Sequence, residues 1–69
     1  MNVPDPSMSI AELIERALAA DNDVTLWLFT GAVCGRIYGY AKEEAEELWD
    51  AGHRHDVERT REILHRLKD

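Results

Sequence analysis

The residues best suited to chemistry in this sequence are three histidines, one cysteine and a cluster of carboxylates. His53 and His55 flank Arg54, and two imidazoles separated by a cation offer too few convergent ligands for a metal site. His65 falls on the polar side of a predicted helix. Neither a serine nor Cys34 has an adjacent base that could activate it as a nucleophile. The residues therefore predict a protein that is not an enzyme and that has no metal or cofactor.

The carboxylates are concentrated in a short segment that we expect to be helical, with their side chains on its exterior. Two carboxylates can perform acid–base catalysis only inside a pocket that separates their pKa values, and an exposed face does not provide one. Trp49 and Tyr40 flank the acidic segment, where exposed aromatic residues would favour contact, but Trp49 is predicted to face the core. We therefore interpret this segment as a protein-binding surface. The candidate partner-binding residues are Glu43, Glu44, Glu46, Glu47, Asp50 and Tyr40.

The composition limits both stability and partners. A domain of 69 residues retains only about 3–5 kcal/mol of stability without a disulfide, a metal or a partner. Cys34 is the only cysteine, and with no signal peptide it predicts a reducing, cytoplasmic location. The formal net charge of −6 gives no general attraction to phosphates or anionic lipids. A protein partner with a basic surface is favoured over direct nucleic-acid or membrane binding.

The stretch Val24–Tyr40 is the apolar centre of the chain, and its only charge is Arg36. Its first half has strong strand propensity, so a hairpin turning at Gly31 is one interpretation. Apolar and polar residues do not alternate, however, and a helix that is apolar all round suits the centre of a small bundle. Arg36 and the glycines argue against a membrane span. The four-residue spacing of the glycines would allow a close helix approach.

The flanking segments predict short amphipathic helices. Ser9 followed by Glu12 forms a capping box for a helix over about residues 10–20. Residues 1–8, which contain both prolines, are predicted to be a flexible arm before a single helical domain, 9–69. The expected fold is all-α, a three- to four-helix bundle with a central apolar helix; the alternative is α+β with a hairpin at 24–40.

The remaining boundaries follow from capping residues. Asp23 is predicted to cap the central helix, and Gly39 to end it in a left-handed conformation with Tyr40 folded back onto it. A helix over Lys42–Ala51 would then be closed by Gly52. Asp56 would cap the last helix, which buries its stripe of apolar residues and Thr60. A weak surface ion pair is expected between Glu62 and Arg66.

The run from Gly35 to Leu48, GRIYGYAKEEAEEL, resembles a helix-turn-helix. Gly35 and Gly39 match the small residue of the first helix and the glycine of the turn, and Ala45 and Leu48 match the anchors of the second. The resemblance implies a dimeric transcriptional regulator. Where such a recognition helix presents polar and basic side chains to DNA, this one presents glutamates, which phosphates would repel. The arginines that would carry DNA contacts are Arg36, Arg54, Arg59 and Arg61.

The C-terminal half is also similar to ubiquitin-associated-like three-helix modules. Gly39-Tyr40 resembles their glycine–aromatic loop, Ala45 and Trp49 fit the second helix, and Asp56 to Leu64 fits the third, with a shift near His53. That similarity implies a peptide-binding module whose loop and third helix form an apolar patch.

Charge and size favour a third interpretation, a small acidic non-enzymatic protein-binding module. In size and charge the chain is similar to phage- or mobile-element-type inhibitors, of the anti-CRISPR or DNA-mimic kind. Such a protein would cover a basic surface of a nucleic-acid-handling partner. We also expect a homodimer, because Trp27, Phe29 and Val33 provide more apolar surface than three short helices can easily cover.

Overall fold

The computed structural model describes residues 3–68, which form four helices and no strand. They are α1 (Ile10–Leu18), α2 (Asp23–Ile37), α3 (Lys42–His53) and α4 (Val57–Lys68). The all-α bundle expected from the sequence is confirmed. The hairpin alternative for 24–40 is wrong, because α2 runs through the position proposed for its turn.

Polar side chains begin the helices much as the sequence indicates. Ser9 Oγ accepts a hydrogen bond from the Glu12 amide at 3.1 Å, and Asp56 Oδ1 accepts one from the Arg59 amide at 3.0 Å. The predicted cap of α2 is one residue too late. Asn22, not Asp23, supplies the acceptor, and its Oδ1 lies 2.9 Å from the Thr25 amide nitrogen. Each contact satisfies an amide that the first helical turn leaves without a partner.

The helix ends differ from those predicted. No glycine in residues 3–68 has a positive φ, so neither Gly39 nor Gly52 is a left-handed cap. The helix α2 ends at Ile37, and Tyr40 is 70% exposed rather than folded back. The helix α3 continues through Gly52 and is followed by His55, whose φ is 56°. His55 takes the left-handed position of a Schellman turn, because its amide donates to the Gly52 carbonyl oxygen at 3.1 Å and the Asp56 amide donates to that of Ala51 at 2.9 Å. The His55 ring packs edge-on against Trp27, with the centroids 5.8 Å apart.

The core is formed by one face of each helix, and α2 contributes the largest share of it. Phe29 and Val33 are almost completely buried, and Trp27 packs against the core while half-buried. The neighbouring helices already cover Phe29 and Val33, so these two residues do not provide the uncovered apolar surface from which the homodimer was expected. The exposed apolar residues of α2 are instead Val24 and Leu28. The homodimer itself stays a prediction.

The four helices close into a ring. Each helix packs on the next, and α4 returns to pack on α1. Arg61 stabilises the packing of α4 on α1, because its guanidinium donates to the carbonyl oxygens of Leu18 at 3.0 Å and Ala20 at 3.3 Å. These carbonyls lie at the end of α1, where a cation also complements the helix dipole.

The segment before α1 makes specific contacts within its described part. The Asp5 carboxylate accepts hydrogen bonds from the backbone amide and the hydroxyl of Ser7, which lower the pKa of Asp5. Arg36 donates to the Pro6 carbonyl oxygen at 2.8 Å. Met1 and Asn2 lie outside the described residues, and the flexibility expected for residues 1–8 stays a prediction.

Thr60 provides a first test of the core. It is completely buried, and its Oγ1 has no hydrogen-bond partner within residues 3–68. Replacing Thr60 by valine keeps the shape and removes the unsatisfied hydroxyl, so we expect the free energy of unfolding to rise by about 1 kcal/mol. Urea titration followed by circular dichroism measures this change.

The control is Thr60→Ser, which keeps the hydroxyl and loses the methyl group, and which should be less stable than the original chain. A Thr60→Val variant of lower stability would show that the hydroxyl has a partner in solution.

Candidate functional site

The carboxylates predicted to bind a partner lie together on α3, but they divide into two groups. Glu47 and Asp50 are engaged within the molecule. Glu47 Oε2 is bound by Arg59 at 3.0 Å and Arg66 at 2.8 Å, while Asp50 pairs with Arg54 at 3.1 Å. The expected ion pair between Glu62 and Arg66 does not form. Arg66 binds Glu47, and Glu62 pairs with Arg59.

The second group comprises Glu43, Glu44 and Glu46, none of which forms an ion pair within the described chain, residues 3–68. Glu43 and Glu46 are exposed, and Glu44 is half-buried. Because internal arginines offset Glu47 and Asp50, these three residues carry the negative charge that α3 presents to its surroundings.

A groove between α2 and α3 lies beside this charge. We call it the α2–α3 groove, and its volume is about 380 Å³. A narrower cavity of about 160 Å³ adjoins it and shares Gly31, Cys34 and Trp49 with it. The groove is lined mainly by apolar atoms, with a single carboxylate at its edge. Its lining residues are Gly31, Cys34, Gly35, Tyr38, Ala45, Glu46 and Trp49.

The floor of the groove is open because two of its residues have no side chain. Gly31 and Gly35 are exposed and helical, and a Cβ atom built on either would meet nothing within 4 Å. The sequence indicated that this spacing allows a close helix approach. In the structure no helix of the described chain packs over Gly31 and Gly35, so this face of α2 is exposed.

Tyr38 and Trp49, the aromatic residues that line the groove, differ most from the site predicted from the sequence. Tyr38 is 53% exposed and Trp49 is 59% exposed, so the prediction that Trp49 faces the core was wrong. Gly31 of α2, which has no side chain, lines the groove together with Trp49. The Trp49 ring packs instead against His53 one turn later, with the ring centroids 4.5 Å apart. Tyr40 lies beyond the groove and does not line it.

Two buried polar groups lie along the groove. Cys34 Sγ donates a weak hydrogen bond to the Ala45 carbonyl oxygen at 3.7 Å. Thr30 lines the narrower cavity and is 4% exposed, yet its Oγ1 has no hydrogen-bond partner in residues 3–68. An unsatisfied hydroxyl at such a depth is costly, and a docked donor or acceptor could relieve it.

Burial raises the pKa of the Cys34 thiol to about 11 from an ordinary value of 9.0. Only the thiolate reacts with alkylating reagents. At pH 8 we therefore expect Cys34 to react with iodoacetamide about a hundredfold more slowly than an unhindered thiol. The rate should rise about tenfold per pH unit and level off near pH 11.

Mass spectrometry of timed samples measures this rate, and the same chain unfolded in urea is the control. A rate in the folded protein equal to that of the unfolded control would show that the groove floor does not bury the thiol.

His53, at the end of α3, lines the narrower cavity beside the groove, whereas His55 follows in the loop after α3. His53 Nδ1 lies 3.2 Å from the Trp49 carbonyl oxygen, and His55 packs on Trp27. Across residues 3–68, no three histidine, cysteine, aspartate or glutamate side chains come together in a way that could hold a metal ion. The described helices also include none with the length and apolar character needed to cross a membrane.

The helix-turn-helix resemblance covers the end of α2 and part of α3, and the ubiquitin-associated-like resemblance covers the loop after α2 together with α3 and α4. None of the protein-family models, curated proteins or solved structures compared with the chain matches it. Function is therefore inferred from the contacts, charges and exposed surfaces of the chain's own residues.

Proposed function

We propose that this chain is a non-enzymatic binding module that places its α3 surface against a basic surface of a partner protein. The observation that carries this proposal is the group of glutamates on α3 with no internal ion pair in residues 3–68, beside the exposed indole of Trp49. Charge that is not offset within the molecule is available to a partner, and exposed aromatic residues are typical of binding hot spots.

The contact surface differs from the five-carboxylate face expected from the sequence. Glu47 and Asp50 already bind arginines, so a partner would have to displace those arginines to reach them. Glu43 and Glu46 have no such competitor among the described residues and are exposed. We therefore assign the main electrostatic contacts to Glu43 and Glu46, with Trp49 providing apolar contact.

A nucleic-acid-handling protein is the partner that this surface would suit best. Such proteins carry basic channels for phosphates, and a row of carboxylates competes for the same lysine and arginine side chains. The chain would then act as an inhibitor of the kind that phages and other mobile elements encode.

A DNA-binding regulator receives less support from the same structure. Each arginine that would contact phosphates has a partner within the chain. Arg36 binds the Pro6 carbonyl oxygen, and Arg61 binds the carbonyl oxygens at the end of α1. Arg54 and Arg59 bind carboxylates of α3. Binding DNA through these side chains would compete with those contacts.

The test is affinity capture from a nuclease-treated host lysate with two charge-matched baits. Glu43→Lys/Glu46→Lys reverses the proposed contacts and should lower partner affinity by at least about tenfold, the size expected for close interfacial charge pairs. The control, Glu15→Lys/Asp21→Lys, makes the same change in net charge at exposed positions in and after α1. It should retain the partner, because α1 packs on α2 and α4 and lies away from α3.

Isothermal titration with the purified partner then gives the affinities. Equal retention by both baits would contradict the proposal. Recovery of the bait alone, with duplex DNA bound when nuclease is omitted, would favour the regulator instead.

A further inference from the structure

We infer that the α2–α3 groove receives an amphipathic, basic helix of the partner protein, with apolar side chains seated over Gly31 and Gly35 and a lysine or arginine beside Glu46. This inference rests on the proposed function and specifies the form of its partner.

The shape of the groove favours a helix as the occupant. The groove and its adjoining cavity follow α2 from Trp27 to Tyr38, a distance of about 16 Å at the rise of an α-helix. A helix of three turns spans the same length and presents anchors with i, i+4 and i+7 spacing. The glycine floor allows such a helix to approach the α2 backbone closely, and Tyr38 and Trp49 would enclose its sides.

An unsatisfied group provides a second and independent indication of a ligand. Thr30 is buried at the end of the groove that Trp27 lines, and its Oγ1 lacks a partner in the described chain. Buried hydroxyls in native proteins are normally hydrogen-bonded. The oxygen is shielded from solvent in the free chain, so a side chain of the docked helix would supply the missing bond only after the residues covering it shift.

The charge around the groove identifies the occupant as basic rather than as a second copy of this chain. Glu46 lines the groove and Glu43 lies one turn before it on α3, and neither has an ion-pair partner in residues 3–68. Lys42, whose Nζ lies 5.8 Å from the Tyr38 ring centroid, is the only lysine or arginine in α3, against five carboxylates. Two copies joined through this groove would bring two such acidic helices together, which like-charge repulsion disfavours.

The experiment uses isotopically labelled full-length protein and a synthetic model peptide. The peptide has about 18 residues, long enough to span the groove as a helix, and contains leucine and alanine on one face and lysine on the other. A scrambled peptide of the same composition and a glutamate-for-lysine version are the peptide controls. We expect amide shifts with the basic peptide at Gly31, Gly35 and Tyr38 and at the Trp49 indole.

Gly35→Leu is the blocking variant. Its Cβ meets nothing within 4 Å, so the chain should fold with an unchanged circular dichroism spectrum while leucine fills the groove. Peptide affinity should fall by about thirtyfold or more, as for loss of a hot-spot contact. The control is Leu28→Ala, which alters an exposed residue of α2 outside the groove and should leave the affinity unchanged.

Several results would overturn the inference. They are equal binding of the scrambled or the glutamate peptide, shifts on another surface, and unchanged affinity of Gly35→Leu. The same amide shifts on raising the protein concentration alone, with a doubled mass in light scattering, would identify a second copy as the occupant. If the captured partner is lost by Glu43→Lys/Glu46→Lys but kept by Gly35→Leu, the proposed function stands and the groove inference fails.

Discussion

Replacing Phe29 by alanine is expected to leave about half or more of the protein unfolded at 25 °C. Phe29 is 1% exposed in the centre of the core, and truncating such a ring removes about 3–5 kcal/mol through lost burial and a residual cavity. A helical domain of this size has about 3–5 kcal/mol of stability in total. The loss therefore matches the whole stability of the chain. Circular dichroism at 222 nm, with and without urea, measures the folded fraction.

Leu28 is the matched control, because it is the adjacent residue of α2 but is 44% exposed. Leu28→Ala should change the free energy of unfolding by no more than about 0.5 kcal/mol, as is usual at surface positions. If Phe29→Ala stayed folded and instead converted a dimer into a monomer, Phe29 would lie at a subunit interface in solution, contrary to the structure.

Replacing Gly31 and Gly35 together by alanine is expected to raise the free energy of unfolding, whereas Phe29→Ala lowers it. Both residues are inside α2 without a positive φ, and a Cβ at either position meets nothing within 4 Å. Glycine in a helix interior costs about 0.8–1 kcal/mol relative to alanine. The double variant should therefore be more stable by about 1.5–2 kcal/mol, measured from urea midpoints at constant m-value.

Gly39→Ala is the control, since Gly39 lies in the loop after α2 and also has open space around its Cβ position. It should give a smaller gain, from the reduced entropy of the unfolded chain alone. A destabilised double variant would mean that the groove floor is packed in solution. A stabilised one would show that the chain keeps glycine where alanine folds better, as expected of a surface reserved for close contact.

Local capping chemistry explains why much of the fold could be predicted from the sequence. A side-chain acceptor at Ser9, Asn22 or Asp56 acts within three residues, so a short pattern contains the whole interaction. The end of α3 could not be found in this way. Gly52 was the natural candidate for a left-handed residue, but the conformation falls on His55, whose ring is held by Trp27 on another helix.

The candidate site was predictable in its charge but not in its shape. The glutamates of α3 are close enough in sequence to indicate an acidic helix face. Only the fold shows that Arg59 and Arg66 form ion pairs with Glu47. Because α2 is apolar on nearly every side, its periodicity does not distinguish the buried Phe29 from the exposed Leu28. The exposure of Trp49 depends on how α2 and α3 pack, which no pattern within α3 can indicate.

The ring closed by Arg61 has a consequence for the order in which the chain folds. Three of the four helix pairings in the ring join neighbours along the chain, and such local contacts need little loop closure, which favours folding in microseconds to milliseconds. Pairing α4 with α1 must instead bring together residues more than 40 positions apart, as in the bond from Arg61 to Leu18. We expect this pairing to form after the folding transition state. The contact between α1 and α4 is then where we expect local unfolding of the native protein to begin.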